Sequence, residues 1–120
     1  MQTDFWPFEA SVREVAALLA RGEYVTLERL TGGVRLTAAE MRAAVAAYPA
    51  RLLVPPSANE PSLEVVAVVG EPWVSQQWAV RVPLWTVEEG RSDLEMRLTV
   101  REDSTSADGY AIEIDGILVP

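Results

Sequence analysis

A long stretch of two-residue alternation in the C-terminal half limits what this chain can fold into. Between residues 94 and 101, apolar side chains alternate with charged or polar ones, at Leu94, Met96, Leu98 and Val100. This period is that of a strand with one buried and one solvated face. Residues 78–84 show the same pattern, at Trp78, Val80, Val82 and Leu84. The two stretches predict a long β-hairpin whose even-numbered side chains face the core.

The parity of the two arms restricts the turn between them. Two even-numbered positions can lie opposite each other only when an odd number of residues separates them. A loop over residues 87–93, with Thr86 opposite Leu94, is one register that meets this condition. Pro83 has no N–H to donate to a ladder, so we expect a sheet edge or a bulge there.

Helical patterns precede the strands. Apolar residues at helical spacing predict a helix from about Glu9 to Arg21. Thr37 and Glu40 have capping-box spacing, which predicts the start of a second helix that Pro49 bounds. Residues 23–30 combine helix and strand features, and a short helix is the favoured interpretation.

Further strands are predicted on both sides of the hairpin. Residues 51–54 are expected to be extended, and residues 55–61 to form a surface loop. The nearly continuous apolar run at 63–69 is typical of a strand that is central in a sheet or covered on both faces. A last strand begins at Tyr110 and changes phase at Gly116, where a bulge is expected.

This order of elements predicts an α+β domain. Two to three N-terminal helices, within about residues 7–48, pack on a roughly four-stranded, mostly antiparallel sheet within 51–120 that contains a long central hairpin. Residues 1–120 are expected to form a single domain, which at this length can bury a core without disulfides. A cystatin-like or nuclear-transport-factor-like cone is the best architectural analogy, from element order alone.

Composition excludes several classes of site and partner. The chain has no Cys and no His, which excludes thiolate and imidazole metal sites and catalytic triads. No cofactor is predicted. A net charge of −8 disfavours nucleic acid and anionic membranes, and it favours a basic protein surface as partner. No segment has the length of a membrane span or the pattern of a signal peptide, so we expect a cytoplasmic location.

The hairpin loop and its flanks carry the densest set of functional groups, at Trp85, Glu88, Glu89, Arg91, Asp93 and Arg97. Carboxylates near a turn are ligands for hard cations, but their spacing matches no calcium loop, so no metal site is predicted. A solvated turn in which Arg91 pairs with Asp93 or Glu88 is favoured over metal binding.

Trp85 has two interpretations of equal weight. The register above places it on the outer face, opposite Glu95 and diagonal to Arg97. There it either stacks on an arginine and anchors an interface, or is covered by a helix or a second subunit. Self-association as a homodimer is one expected outcome.

A non-enzymatic binding domain is the leading functional hypothesis, in a specific form an immunity- or antitoxin-like protein that covers a basic site. No catalytic residue is predicted. The alternative is a small-ligand-binding or lyase/isomerase-type cone, which would need a buried carboxylate beside Tyr24, Tyr48 or Tyr110. A small-molecule ligand therefore stays open.

Residues 84–94, which read Leu-Trp-Thr-Val-Glu-Glu-Gly-Arg-Ser-Asp-Leu, resemble an uncharacterised family of small bacterial domains of unknown function. Trp78, the closing strand at 112–119 and the segments 22–30 and 52–56 are similar too. The resemblance implies a shared fold without an assigned activity, so no catalytic residue is carried over. It favours the hairpin loop as the functional site.

Overall fold

Three helices precede an open antiparallel sheet. The computed structural model describes residues 7–33, 35–54, 64–68 and 76–120. Its elements are α1 (Glu9–Ala20), α2 (Tyr24–Thr31), α3 (Ala38–Ala47), β1 (Leu52–Leu53), β2 (Glu64–Val68), β3 (Gln77–Thr86), β4 (Gly90–Glu102) and β5 (Tyr110–Leu118). The predicted α+β class, with helices first and a central hairpin, is confirmed. The loop expected at 55–61 lies outside the described residues.

Local sequence signals set the helix boundaries. Gly22 follows α1 with a φ of 75°, and Gly32 ends α2 in the left-handed conformation that glycine adopts at little cost. The capping box of α3 is formed: Thr37 Oγ1 accepts from Glu40 N at 3.2 Å, and Glu40 Oε1 accepts from Thr37 N at 2.9 Å. Residues 24–30 lie in α2 and Glu23 is its N-cap, so the favoured interpretation of this segment as a short helix is confirmed. No helix in the described ranges is long and apolar enough to cross a membrane.

The core lies between the helices and the even-numbered face of the sheet. Its strand residues are Val80, Val82, Leu84, Leu94, Met96, Leu98, Val100 and Ile114. Its helix-side residues include Phe8, Val12, Val15, Leu18, Leu19, Leu27 and Met41. Half-buried Trp78 packs against Phe8, with ring centroids 5.0 Å apart. The predicted buried face of the hairpin is confirmed, and each buried aliphatic side chain contributes roughly 1.5–3 kcal/mol.

The hairpin closes with a shorter loop than expected. Thr86 lies opposite Gly90, not Leu94, so the loop is residues 87–89. Gly90 has a φ of 73°, the left-handed conformation that commonly closes a three-residue hairpin loop. The number of loop residues is odd, as parity requires. The expected pairing is wrong by four residues at Thr86: the register along the rest of the hairpin, with Val82 opposite Met96, differs by two residues, and a bulge in β4 adds two more.

That bulge lies between Pro83 and Trp85, where the register shifts. Three consecutive residues of β4 lie against Leu84 there. Ser92 Oγ donates to the Leu84 carbonyl at 2.8 Å and accepts from Leu94 N at 3.2 Å. The hydroxyl thus satisfies backbone groups that the interrupted ladder leaves without strand partners. Because the shift is an even number of residues, the same side chains stay on the core face.

The other side of β3 is flanked by two short strands. β1 pairs with residues 85–86 and β2 with residues 77–81. Pro83 lies in the gap between them, where its missing N–H costs no ladder hydrogen bond. Among the described residues β2 pairs with β3 alone, and Val66 is 59% exposed, so the prediction of a central or doubly covered strand is wrong. Valine favours strands whether or not its side chain is covered.

The last strand contains the expected bulge. Asp115 is an additional residue between two positions of β5 that pair with consecutive residues of β4. The resulting change of phase brings Ile117 opposite Met96 and into contact with the core. The phase shift predicted at Gly116 is confirmed.

Candidate functional site

The hairpin loop is held against the connection between α3 and β1. Val87 N donates to the Arg51 carbonyl at 2.9 Å, and Glu88 Oε1 accepts from Arg51 N at 2.9 Å. The Arg51 Nε lies 3.5 Å from Glu88 Oε2. The hydrogen bond from the Arg51 amide is the main cause of the lowered pKa of Glu88. Glu88 therefore fastens the loop.

Glu89 is bound by hydroxyl groups on the other side of the loop. Tyr48 Oη donates to Glu89 Oε1 at 2.7 Å, and Thr86 Oγ1 donates to the same oxygen at 3.3 Å. Thr86 Oγ1 also accepts from Glu89 N at 3.0 Å. The hydrogen bond to Glu89, with burial and the carboxylate charge, raises the pKa of Tyr48 above 10.0. Tyr48 therefore keeps its proton at neutral pH and donates it in the hydrogen bond that holds the loop.

Arg91 does not form the ion pair that the sequence predicted. Its side chain and that of Asp93 are exposed, and within the described residues neither has a hydrogen bond or ion pair. Glu88 pairs instead with Arg51, because Arg51 offers it both a backbone N–H and a guanidinium group. The start of β4 thus leaves one positive side chain, Arg91, and one negative side chain, Asp93, free for an external partner.

Trp85 lies on the sheet face opposite the core. Its Cα partners are Leu53 and Arg91, so the predicted position opposite Glu95 is wrong; Pro83 lies opposite Glu95 instead. The indole is half-buried, and its Nε1 has no hydrogen-bond acceptor among the described residues. We call Leu53, Pro83, Trp85 and Arg91 the Trp85 patch.

Arg97 belongs to a charged network further along this face. Arg81 Nε and Arg97 Nε donate to Glu95 Oε2 at 3.0 and 2.7 Å. Glu64 lies 3.3 Å from the Arg81 guanidinium. Burial raises the pKa of Glu95, but the hydrogen bonds from both arginines outweigh it, and the net pKa is lowered. The predicted neighbourhood of Arg97 and Trp85 is not formed, because Arg97 lies opposite Arg81.

A second charged network covers the β4–β5 side of this face. Arg101 Nη1 lies 2.5 Å from Glu113 Oε2. Arg35, in the connection between α2 and α3, lies 3.6 Å from Glu113 Oε1 and 3.4 Å from Asp115 Oδ1. Thr99 Oγ1 donates to Asp115 Oδ2 at 2.6 Å. Over most of its length, this face therefore carries ion pairs rather than apolar side chains.

The described residues do not assemble an interior acid–base pair. Tyr24 and Tyr110 make cation–π and ring contacts, and within the described ranges neither hydroxyl bonds a carboxylate. Tyr48 does bond Glu89, but that carboxylate is exposed. The same ranges contain no group of three or more acidic residues able to hold a metal ion.

A groove that the sequence did not predict lies at the other end of β4. It has a volume of about 430 Å³ and is lined by residues of α1, α2, the β4–β5 turn and the start of β5. Three of its lining residues are acidic, namely Glu14, Asp103 and Asp108, and no basic residue lines it. Residues 102–109 are mostly polar in sequence, and the approach of α1 to them depends on how the elements pack, which no local pattern shows.

These features define a small α+β domain with a loop-braced hairpin and two candidate contact surfaces. The chain belongs to DUF7668, a domain of unknown function, whose family model matches residues 16–120. The resemblance to an uncharacterised domain family is thereby confirmed. Neither the curated proteins nor the solved structures contain a match to this chain. The cystatin-like or nuclear-transport-factor-like cone stays an analogy of element order.

Proposed function

We propose that this domain is a non-enzymatic binding domain that contacts a protein partner through the Trp85 patch and the adjoining loop. The observation that carries the proposal is the position of Trp85 between Leu53 and Arg91, on the sheet face opposite the core. Tryptophan and arginine are enriched at the residues that dominate binding energy in interfaces. An apolar anchor beside an unpaired charge suits an interface of mixed character.

The bracing of the loop supports this proposal. Glu88 and Glu89 bond to the α3–β1 connection and to each side of the turn, so the loop needs little ordering on binding. A contact surface that is already ordered loses less conformational entropy when it binds. In this proposal the two glutamates position the loop, while Trp85, Arg91 and Asp93 contact the partner.

The net charge of −8 favours a partner with a basic surface. That chemistry fits an immunity- or antitoxin-like protein that covers a basic site on its target. Arg97 is held in its network with Glu95, whose Cα partner is Pro83 of the Trp85 patch, and in this proposal that network forms the rim of the contact surface. Rim charges of this kind direct the encounter and contribute less to the final affinity.

The test is binding kinetics with a partner recovered by pull-down from the native host. Trp85→Ala is expected to speed dissociation and to cost about 2 kcal/mol or more of binding free energy. Asp93→Arg is expected mainly to slow association with a basic partner. Val66→Ala is the matched control, because Val66 is exposed on the same face but belongs to β2, away from the patch. Wild-type kinetics for Trp85→Ala would contradict the proposal.

A second copy of the chain is the other protein partner that this surface could take. Sedimentation over a range of concentrations distinguishes the two. A dimer that Trp85→Ala dissociates identifies the Trp85 patch as a two-fold interface. A strict monomer at high concentration assigns the patch to a different protein.

A further inference from the structure

We propose that the groove at the β4–β5 end binds an extended, basic segment of a protein partner, with an arginine or lysine side chain seated in the groove. The groove and the Trp85 patch lie near opposite ends of β4, which is 13 residues long. This site therefore goes beyond the proposed function, and each can fail without the other.

Within the described residues none of the three groove carboxylates forms an ion pair, although the charge of Arg101 acts on Asp103. Glu14 is exposed and has no hydrogen bond or ion pair within the described residues. Asp108 accepts a hydrogen bond from the Ser11 hydroxyl, and Asp103 accepts from the hydroxyl and backbone N–H of Thr105. These donors, with a smaller contribution from the charge of Arg101 at Asp103, lower the pKa of both aspartates, which stay charged at neutral pH. The groove thus presents negative charge that a cation from outside can neutralise.

Part of the lining of the groove is apolar. Val15, Leu30 and Ile112 are among its lining residues, and Leu30 is 59% exposed. A bare metal ion gains nothing from such a surface. Arginine and lysine carry long aliphatic stems that pack on apolar surface while the charged group reaches polar partners. The combination of apolar and acidic lining residues therefore matches a basic side chain.

The edge of β5 favours a peptide over a free amine. Tyr110, Ala111 and Ile112 form one wall of the groove, and among the described residues β5 pairs with β4 alone. The other edge of β5 therefore has no strand partner for its backbone N–H and C=O groups there. An extended peptide can add to such an edge through main-chain hydrogen bonds while its side chains enter neighbouring pockets.

A titration followed by backbone amide NMR tests the site. The probe is a ten-residue peptide that alternates arginine and valine, and its counterpart alternates glutamate and valine. We expect the arginine peptide to shift the amide signals of residues 103–112 and to bind more weakly as salt rises. The glutamate peptide should leave these signals unchanged. Binding of both peptides alike, or of neither, overturns the proposal.

Two substitutions separate the groove from the general acidity of the protein. Glu14→Gln should weaken binding of the arginine peptide about two- to fivefold, the scale of one exposed ion pair. Glu23→Gln removes the same charge from an exposed carboxylate that does not line the groove, and should leave affinity unchanged. Equal losses in the two variants would show only non-specific attraction and overturn the site.

Further ligands test the nature of the occupant. Two versions of the arginine peptide are N-methylated at alternate residues, one at the odd and one at the even positions. Only the version that blocks the amides facing β5 should lose affinity, because those amides then cannot bond the strand. Arginine amide should bind more weakly than the full peptide. The assignment to an extended segment is overturned if both methylated peptides bind as tightly as the unmodified one, or if arginine amide binds as tightly as the peptide.

Discussion

The two faces of the sheet share one alternating sequence pattern but are held by different forces. The core face buries side chains such as Val82, Met96 and Leu98 against the helices. The outer face places carboxylates such as Glu95 beneath arginines: the side chain of Glu95 is 13% exposed, and that of Arg97 is 41% exposed. Removal of apolar area from water is non-directional and cumulative, whereas solvated ion pairs are screened. Burial of the core face therefore provides most of the folding stability, whereas the outer face determines which charges the surface presents.

The largest expected effect is on the core face. Leu98→Ala should lower the free energy of unfolding by about 2–5 kcal/mol, because Leu98 is 1% exposed and its truncation leaves a cavity. Urea denaturation measures the change. Val66→Ala, on the outer face, is the control and should change stability by no more than about 0.5 kcal/mol. Similar losses in both variants would remove the difference between the faces.

An intermediate effect is expected at the bulge in β4, next to the hairpin loop. Ser92→Ala should cost about 1–3 kcal/mol, because the Leu84 carbonyl and the Leu94 amide then lack their hydroxyl partner. Urea denaturation gives the magnitude, and amide hydrogen exchange at Leu94 should become faster. Ser104→Ala, an exposed serine in the β4–β5 turn, is the control. Unchanged exchange at Leu94 would show that the hydroxyl does not hold the bulge.

The smallest expected effect concerns the ion pairs of the outer face. The folded-state pKa of Glu95 lies below its ordinary value of 4.5, so its contribution is present above that pH and is lost as pH falls through the folded-state value. Glu95→Gln should remove this part of the pH dependence, at a cost of about 1 kcal/mol or less at neutral pH. Urea denaturation across pH 2–7 is the measurement.

The salt dependence of stability tests the same comparison between the two faces. Because part of the Glu95 network is solvent-exposed, high salt should shrink the stability difference between wild type and Glu95→Gln. The difference between wild type and Leu98→Ala should not shrink in the same way, because that loss is one of packing. An opposite result would assign the larger electrostatic role to the core face.

Much of the fold could be predicted from short-range patterns. Alternation identified both arms of the hairpin and their buried face, and the capping box of Thr37 and Glu40 marked the start of α3. Gly22 ended α1, and Gly116 marked the change of phase in β5. These signals act within a few residues, through backbone conformation or through the side-chain period of an element. They can therefore be recognised from the sequence without knowledge of the tertiary structure.

Only the tertiary structure decided the register and the surroundings of the candidate sites. Thr86 pairs with Gly90 rather than Leu94 because the hairpin register differs by two residues and the bulge at Ser92 adds two more. Alternation does not distinguish registers that differ by an even number of residues. Tyr48 and Glu89 are 41 residues apart in sequence, and Ser11 and Asp108 are 97 apart. Contacts at such separations depend on how whole elements pack. No local sequence pattern therefore predicts the contacts that hold the hairpin loop or those that form the acidic groove.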